Sequence, residues 1–154
     1  MSPRTTLNVS EYHLVVIVWI MNSKGKFLIS RRAPEVIWMP GMWDTIRGSA
    51  IFGDDSLTTA LKETSEEIGV ALIPEKWAHF RAIFTTRYED EGGNHYDVWL
   101  FYQDIDFEDV ILQPTEVCDA MWANQTEIRN MIAAGIFVSE PYLADLFTST
   151  SSAF

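Results

Sequence analysis

Apolar residues run unbroken from Leu14 to Met21 (LVVIVWIM), and this β-branched, aromatic stretch predicts a strand buried on both faces. It is less than half of the roughly 20 residues that a membrane-spanning helix needs. Asn22-Ser23-Lys24-Gly25 supplies turn chemistry before Lys26 to Arg31 resumes a strand pattern, so the two segments read as a hairpin. Residues 33 to 55 hold Pro34, Pro40, Gly41, Gly48 and Gly53, a density of breakers that predicts a long functional loop with short extended pieces. The period then becomes helical: Leu57, Ala60, Leu61, Thr64 and Ile68 form one stripe, with Ser56 as the cap and Gly69 as the stop. Strand patterning returns from Trp77 to Phe107, broken by an exposed hairpin tip at Glu89 to Asn94, with Tyr96 to Tyr102 as the central strand. Leu112 to Glu116 reads as loop because of Pro114, Ala120 to Ala123 as a short strand, and Thr126 to Ala134 as a helix closed by Gly135. Ser139 is expected to cap a last helix from Glu140 to Phe147. With no repeat and no linker, residues 1–154 read as a single domain with loosely ordered tails at 1–11 and 148–154. The expected class is α/β or α+β, a mixed β-sheet between helices.

Composition narrows the function. The formal charge of −11 and a pI near 4.5 describe a surface that repels nucleic acid polymers and anionic membranes. A phosphorylated ligand would therefore need local cations, either clustered arginines or a metal ion. One cysteine, Cys118, excludes an intrachain disulfide and agrees with a reducing compartment. The first residues carry no signal-peptide pattern, so a cytoplasmic protein is expected.

Glu63, Glu66 and Glu67 stand at i, i+3 and i+4 of the first predicted helix, which places all three carboxylates within one quadrant. Splayed into water they form an ordinary solvated face; converging on one point they need protons or a divalent cation. The surrounding spacing favours convergence. From Gly48 the chain reads five residues, Asp54, seven residues, then Lys62-Glu63-Thr64-Ser65-Glu66-Glu67-Ile68-Gly69-Val70. This resembles the signature of the Nudix hydrolases, with identity at Gly48, Glu63, Glu66, Glu67 and Gly69. Asp54, Lys62 and Thr64 depart from it, standing where the signature has Glu, Arg and an apolar residue. A lysine lacks the planar fork with which that arginine holds the carboxylates, so looser positioning is expected.

The resemblance implies a Nudix-type α/β/α sandwich. It also implies hydrolysis of a diphosphate linkage, in a nucleoside diphosphate derivative or a related organic pyrophosphate, by attack of water on phosphorus. Mg2+ or Mn2+ is the implied cofactor, held by Glu63, Glu66, Glu67 and the carbonyl of Gly48, with Asp54, Lys62 and Gly69 as structural parts of the motif. Hard oxygen donors of this kind suit those ions. Trp38 to Asp44 and the Gly48 loop are similar to the isopentenyl diphosphate isomerase branch. Arg47 and Ser49, however, occupy the places of that isomerase's cysteine and histidine, which favours hydrolase over isomerase. A non-catalytic module of this fold, binding a nucleotide or a protein, is the main alternative. Glu116, in Gln113-Pro114-Thr115-Glu116-Val117, is a further catalytic carboxylate by resemblance, and any of the four glutamates can serve as general base. Arg31, Arg32 and Arg47 are the candidates for substrate phosphates, and strand alternation lets only one of Arg31 and Arg32 face a cleft. Trp38, Trp43, Phe52, Tyr88 and Trp99 are candidates to stack a base. His13, His79 and His95 have no zinc-like spacing, and the acidic run from Asp104 to Asp109 lacks the pattern of a calcium loop. A small-molecule diphosphate is the expected partner, with a homodimer as the default assembly for a small enzyme.

Overall fold

The computed structural model describes residues 12–88 and 92–151, with the side chains at 12, 79, 86–88 and 92 outside that description. Strand β1 (Tyr12–Met21) organises it. One edge of β1 pairs in parallel with β6 (Gly92–Tyr102), from Tyr12 against Gly93 to Met21 against Tyr102. The other edge is shared. β4 (Ile46–Ser49) pairs antiparallel with Val15 to Val18, and β2 (Phe27–Arg32) takes over where Met21 meets Phe27. β3 (Trp43–Asp44) and β7 (Val117–Ala123) flank β2, and β5 (Trp77–Tyr88) runs antiparallel beyond β6. The mixed sheet therefore reads β3-β2-β1-β6-β5, with β4 on β1 and β7 on β2.

Alternation along β1 feeds two cores. Val15, Ile17, Trp19 and Met21 pack with Ile128 of α2 (Gln125–Ala133) and with Leu143, Leu146 and Phe147 of α3 (Leu143–Thr150). Val16, Val18 and Ile20 pack with Ala60 and Ile68 of α1 (Ser56–Ile68), and with Val70 and Leu72. Helices thus cover both sheet faces, which is why β1 is apolar throughout. Its turn is fixed by Asn22, whose Oδ1 accepts from the backbone N–H groups of Lys24 and Lys26 at 3.0 and 2.9 Å.

Several sequence expectations need correction. Asp55, not Ser56, caps α1: its Oδ1 accepts from Thr58 N at 2.7 Å, while Ser56 Oγ receives Trp99 Nε1 at 2.8 Å. Leu57 and Leu61 are only half-buried, and Thr59 and Glu67 take inner positions of the helix. β7 begins at Val117, earlier than expected. The last helix begins at Leu143 because Pro141 drives Glu140 away from helical geometry, so Ser139 caps nothing there. That helix continues to a buried Thr150, and the expected loose C-terminal tail is helical over Thr148 to Thr150. The expected tail at 1–11, the tip at 89–91 and residues 152–154 lie outside the described residues.

Candidate functional site

Glu63 lies half-buried on the α1 face toward β4, and its carboxyl presses on the Cα of Gly48. A Cβ at position 48 would collide with Cδ and Oε2 of Glu63, so only glycine admits the carboxylate here. One helical turn later Glu67 is 8% exposed, and its carboxyl lies within electrostatic reach of that of Glu63. Burial pushes Glu67 well above the usual carboxylate range, reinforced by Glu63, Asp44 and Glu116. Burial also raises Glu63, with the charges of Glu66 and Glu116 adding to it. Glu66 itself is exposed.

Glu116 comes from an exposed loop tied to the end of α1. Ile111 N donates to Ile68 O at 2.9 Å, Gln113 N donates to Glu67 O at 2.9 Å, and Ala33 N donates to Glu116 O at 2.9 Å. Gly69 permits this approach: it ends α1 at φ +69°, and a Cβ there would crowd Ile111 Cβ at 3.1 Å. The helix and the Glu116 loop therefore bring their carboxylates into electrostatic reach of one another beside the Gly48 strand. Among the described residues, no three His, Cys, Asp or Glu side chains already stand close enough to enclose an ion.

The two departures from the signature meet each other. Lys62 Nζ bonds Asp54 Oδ2 at 2.8 Å, so lysine ties the Gly48–Asp55 loop to α1 instead of holding the glutamates. Thr64, the third, is buried with its hydroxyl returned to Ala60 O at 2.8 Å, which satisfies it inside the apolar layer.

The three arginines differ in their surroundings, and the pairing of β2 with β7 shifts register between Arg31 and Arg32. Arg31 is exposed, with Nε on Gly41 O at 2.8 Å. Arg32 is half-buried, donates Nε to Trp38 O at 2.7 Å and lies 3.8 Å from Asp44. Arg47 is gripped on both sides. Asp44 takes its Nε and Nη2 at 2.9 and 3.2 Å, and Glu140 takes Nη1 at 3.2 Å and also Nη2. Four of the five guanidinium N–H donors are thus spent within the protein, which makes Arg47 a scaffold residue with little left for a phosphate.

A cavity of about 280 Å3 adjoins the carboxyl pair, sharing Gly48 with it and walled by Arg32, Arg47, Trp38 and Tyr96. Of the other aromatic candidates, Trp99 is core, Trp43 packs against core, Phe52 is exposed, and the Tyr88 side chain lies outside the described residues. His95 Nδ1 meets Thr85 Oγ1 at 3.0 Å, the His79 side chain is outside the description, and Cys118 is exposed. Asp104 takes Ser23 N at 2.8 Å and Asp106 caps the short turn Phe107–Asp109, so this acidic run is a turn. No described helix is long and apolar enough to cross a membrane. Sequence reasoning missed Asp44 and Glu140. Asp44 is 1% exposed between two arginines, a burial that only a known charge partner could have announced.

The NUDIX domain description matches residues 11–146. An uncharacterised Nudix hydrolase of Listeria monocytogenes is 34% identical over 138 residues, spanning 89% of this chain and 78% of that protein. Among solved structures, the MutT protein of Methanosarcina mazei shares the fold with a TM-score of 0.67 at 23% identity, over 94% of this chain and 96% of that one. A Nudix hydrolase of Nitrosomonas europaea does so with a TM-score of 0.68 at 17% identity, over 93% and 90%. Carrying that domain over most of its length, on a layered fold that presses a helix glutamate onto a strand glycine, the chain belongs to the Nudix family and is a Nudix pyrophosphohydrolase.

Proposed function

We propose that the protein hydrolyses the diphosphate linkage of a nucleoside diphosphate derivative or related organic pyrophosphate, by attack of water on phosphorus. The observation that carries this is the Glu63 carboxyl pressed onto Gly48 with the buried Glu67 one helical turn away, and with Glu66 and Glu116 adding negative charge nearby. Such a pair is stable only with a proton or a cation, and its donors are all oxygen, so the residues fit Mg2+ or Mn2+. Glu63, Glu67 and the Gly48 carbonyl would hold the ion, with Glu66 as the additional donor. When bound, it would offset diphosphate charge and activate water for attack. The chain's own residues do the rest. Glu116 stands on a loop anchored to the last turn of α1 and is our candidate to accept the proton of the attacking water. Arg32, which lines the cavity beside Gly48, is the candidate for phosphate oxygens, since Arg47 is held by Asp44 and Glu140. That engagement, and the lack of a thiol at position 47, argue against the isomerase alternative.

The test is release of phosphate or nucleoside monophosphate from nucleoside triphosphates, nucleotide sugars, dinucleoside polyphosphates and isoprenoid diphosphates, with Mg2+ or Mn2+ present. Turnover that vanishes in Glu67→Gln is expected. Tight nucleotide binding with no turnover of any of them would leave a binding module instead.

A further inference from the structure

The outer wall of the cavity beside Gly48 is an indole whose fixation the hydrolytic chemistry does not explain. Trp38 follows a fully exposed Ile37 and is itself 42% exposed, yet it is clamped twice. Its carbonyl takes Arg32 Nε at 2.7 Å, and its ring centre lies 5.1 Å from the Arg32 guanidinium carbon and 4.7 Å from that of Arg47. Arg47 is in turn immobilised by Asp44 and by Glu140. Glu140 Oε1 lies 3.4 Å from the buried Tyr142 hydroxyl, which also accepts Trp19 Nε1 at 2.9 Å. The wall is thereby tied to the core through charged links.

We propose that Trp38 is the specificity-determining residue of the site, stacking the nucleobase at the non-reacting end of a diphosphate substrate, with Glu140 as its positioning residue through Arg47. This rests on the hydrolase reading above. Three observations select a heteroaromatic ring. Ser49, Asn94 and the Tyr96 hydroxyl, which accepts Asn94 Nδ2 at 3.1 Å, put polar atoms on the cavity wall beside Val15, and a base offers both a π face and a polar edge to meet them. Two guanidinium groups near the indole repel a cationic substituent. A volume of about 280 Å3 is just below the usual ligand-pocket range of about 300–1,000 Å3, which suits one ring system and not a whole dinucleotide.

The experiment compares ADP with inorganic pyrophosphate, both with Mn2+, by calorimetry on the wild type, Trp38→Ala, Trp38→Phe, Glu140→Gln and the Trp38→Ala/Glu140→Gln double variant. Far-UV circular dichroism checks that each is folded. The wild type should bind ADP about tenfold or more tighter than pyrophosphate, the scale of one base–aromatic stack. Trp38→Ala should erase most of that difference while pyrophosphate affinity stays, and Trp38→Phe should restore it. Glu140→Gln should weaken ADP alone and add nothing in the Trp38→Ala background, a coupling that a purely structural role would not produce. Equal affinity of the wild type for ADP and pyrophosphate, equal weakening of both ligands in Trp38→Ala, or displacement of ADP by isopentenyl diphosphate at lower concentration would each overturn the proposal. These readouts need no turnover. Binding as expected with no hydrolysis of any diphosphate defeats the hydrolase reading alone, and hydrolysis with an indifferent Trp38→Ala defeats this one alone.

Discussion

Glu67 was legible as a motif residue, but its burial was not: sequence spacing put three glutamates on one helix face, and nothing in it said that the sheet would close over one of them. The closure has a thermodynamic sign. A carboxyl raised above its ordinary value near 4.5 favours the fold while protonated, and that contribution is complete below 4.5 and lost as pH rises through the raised folded value. Without divalent metal, melting temperature should therefore fall from pH 4.5 toward neutrality by more in the wild type than in Glu67→Gln. At neutral pH, Glu67→Gln should be the more stable of the two. Its turnover should nevertheless drop by about 10²-fold or more. Parallel melting curves for the two proteins across this range would contradict a raised Glu67 carboxyl. Gly48 gives a second handle. Gly48→Ala should displace the Glu63 carboxyl and weaken Mn2+ binding by about tenfold or more, read by calorimetry, whereas unchanged affinity would show that Glu63 has room to move.

Helix α1 is the element that sequence described best, because its stripe, its stop at Gly69 and its signature spacing all reinforce one period. Its start was misread by one residue, since Asp55 and Ser56 are both competent caps and only the position of Trp99 across the sheet assigns Ser56 elsewhere. The lysine at 62 could be identified as a departure, but not its partner, because pairing with Asp54 depends on how the Gly53 turn folds back. Lys62→Arg is expected to keep or raise kcat, as a planar fork can hold Asp54 and still reach toward Glu66. A sharp loss would assign the lysine a role of its own. The final helix was misplaced for a similar reason: Pro141 marks a boundary, yet the use of Glu140 as a counter-charge for Arg47 joins positions far apart in the chain and leaves no local trace.

Across the molecule, the layered α/β class was readable because β1 is apolar on both faces, whereas the two-sided sharing of its edge by β2 and β4 was not. The net charge of −11 sets a measurable condition on ligand capture. In the absence of divalent cations, ADP should bind more tightly as ionic strength rises from about 0.01 to 0.1 M, where the screening length falls from about 30 to 10 Å. An opposite slope would show that the arginines, and not the global field, govern the approach. The grip of Glu140 on Arg47 carries a consequence for how the protein comes into being. On the ribosome, strands β1 to β4 and the glutamate helix emerge first, and Arg47 waits without its second counter-ion until translation has passed residue 140. A nascent chain paused before that point would hold the whole Nudix signature while Arg47, beside Trp38, still lacked the grip of Glu140, so this wall of the Gly48 cavity is completed late in biosynthesis.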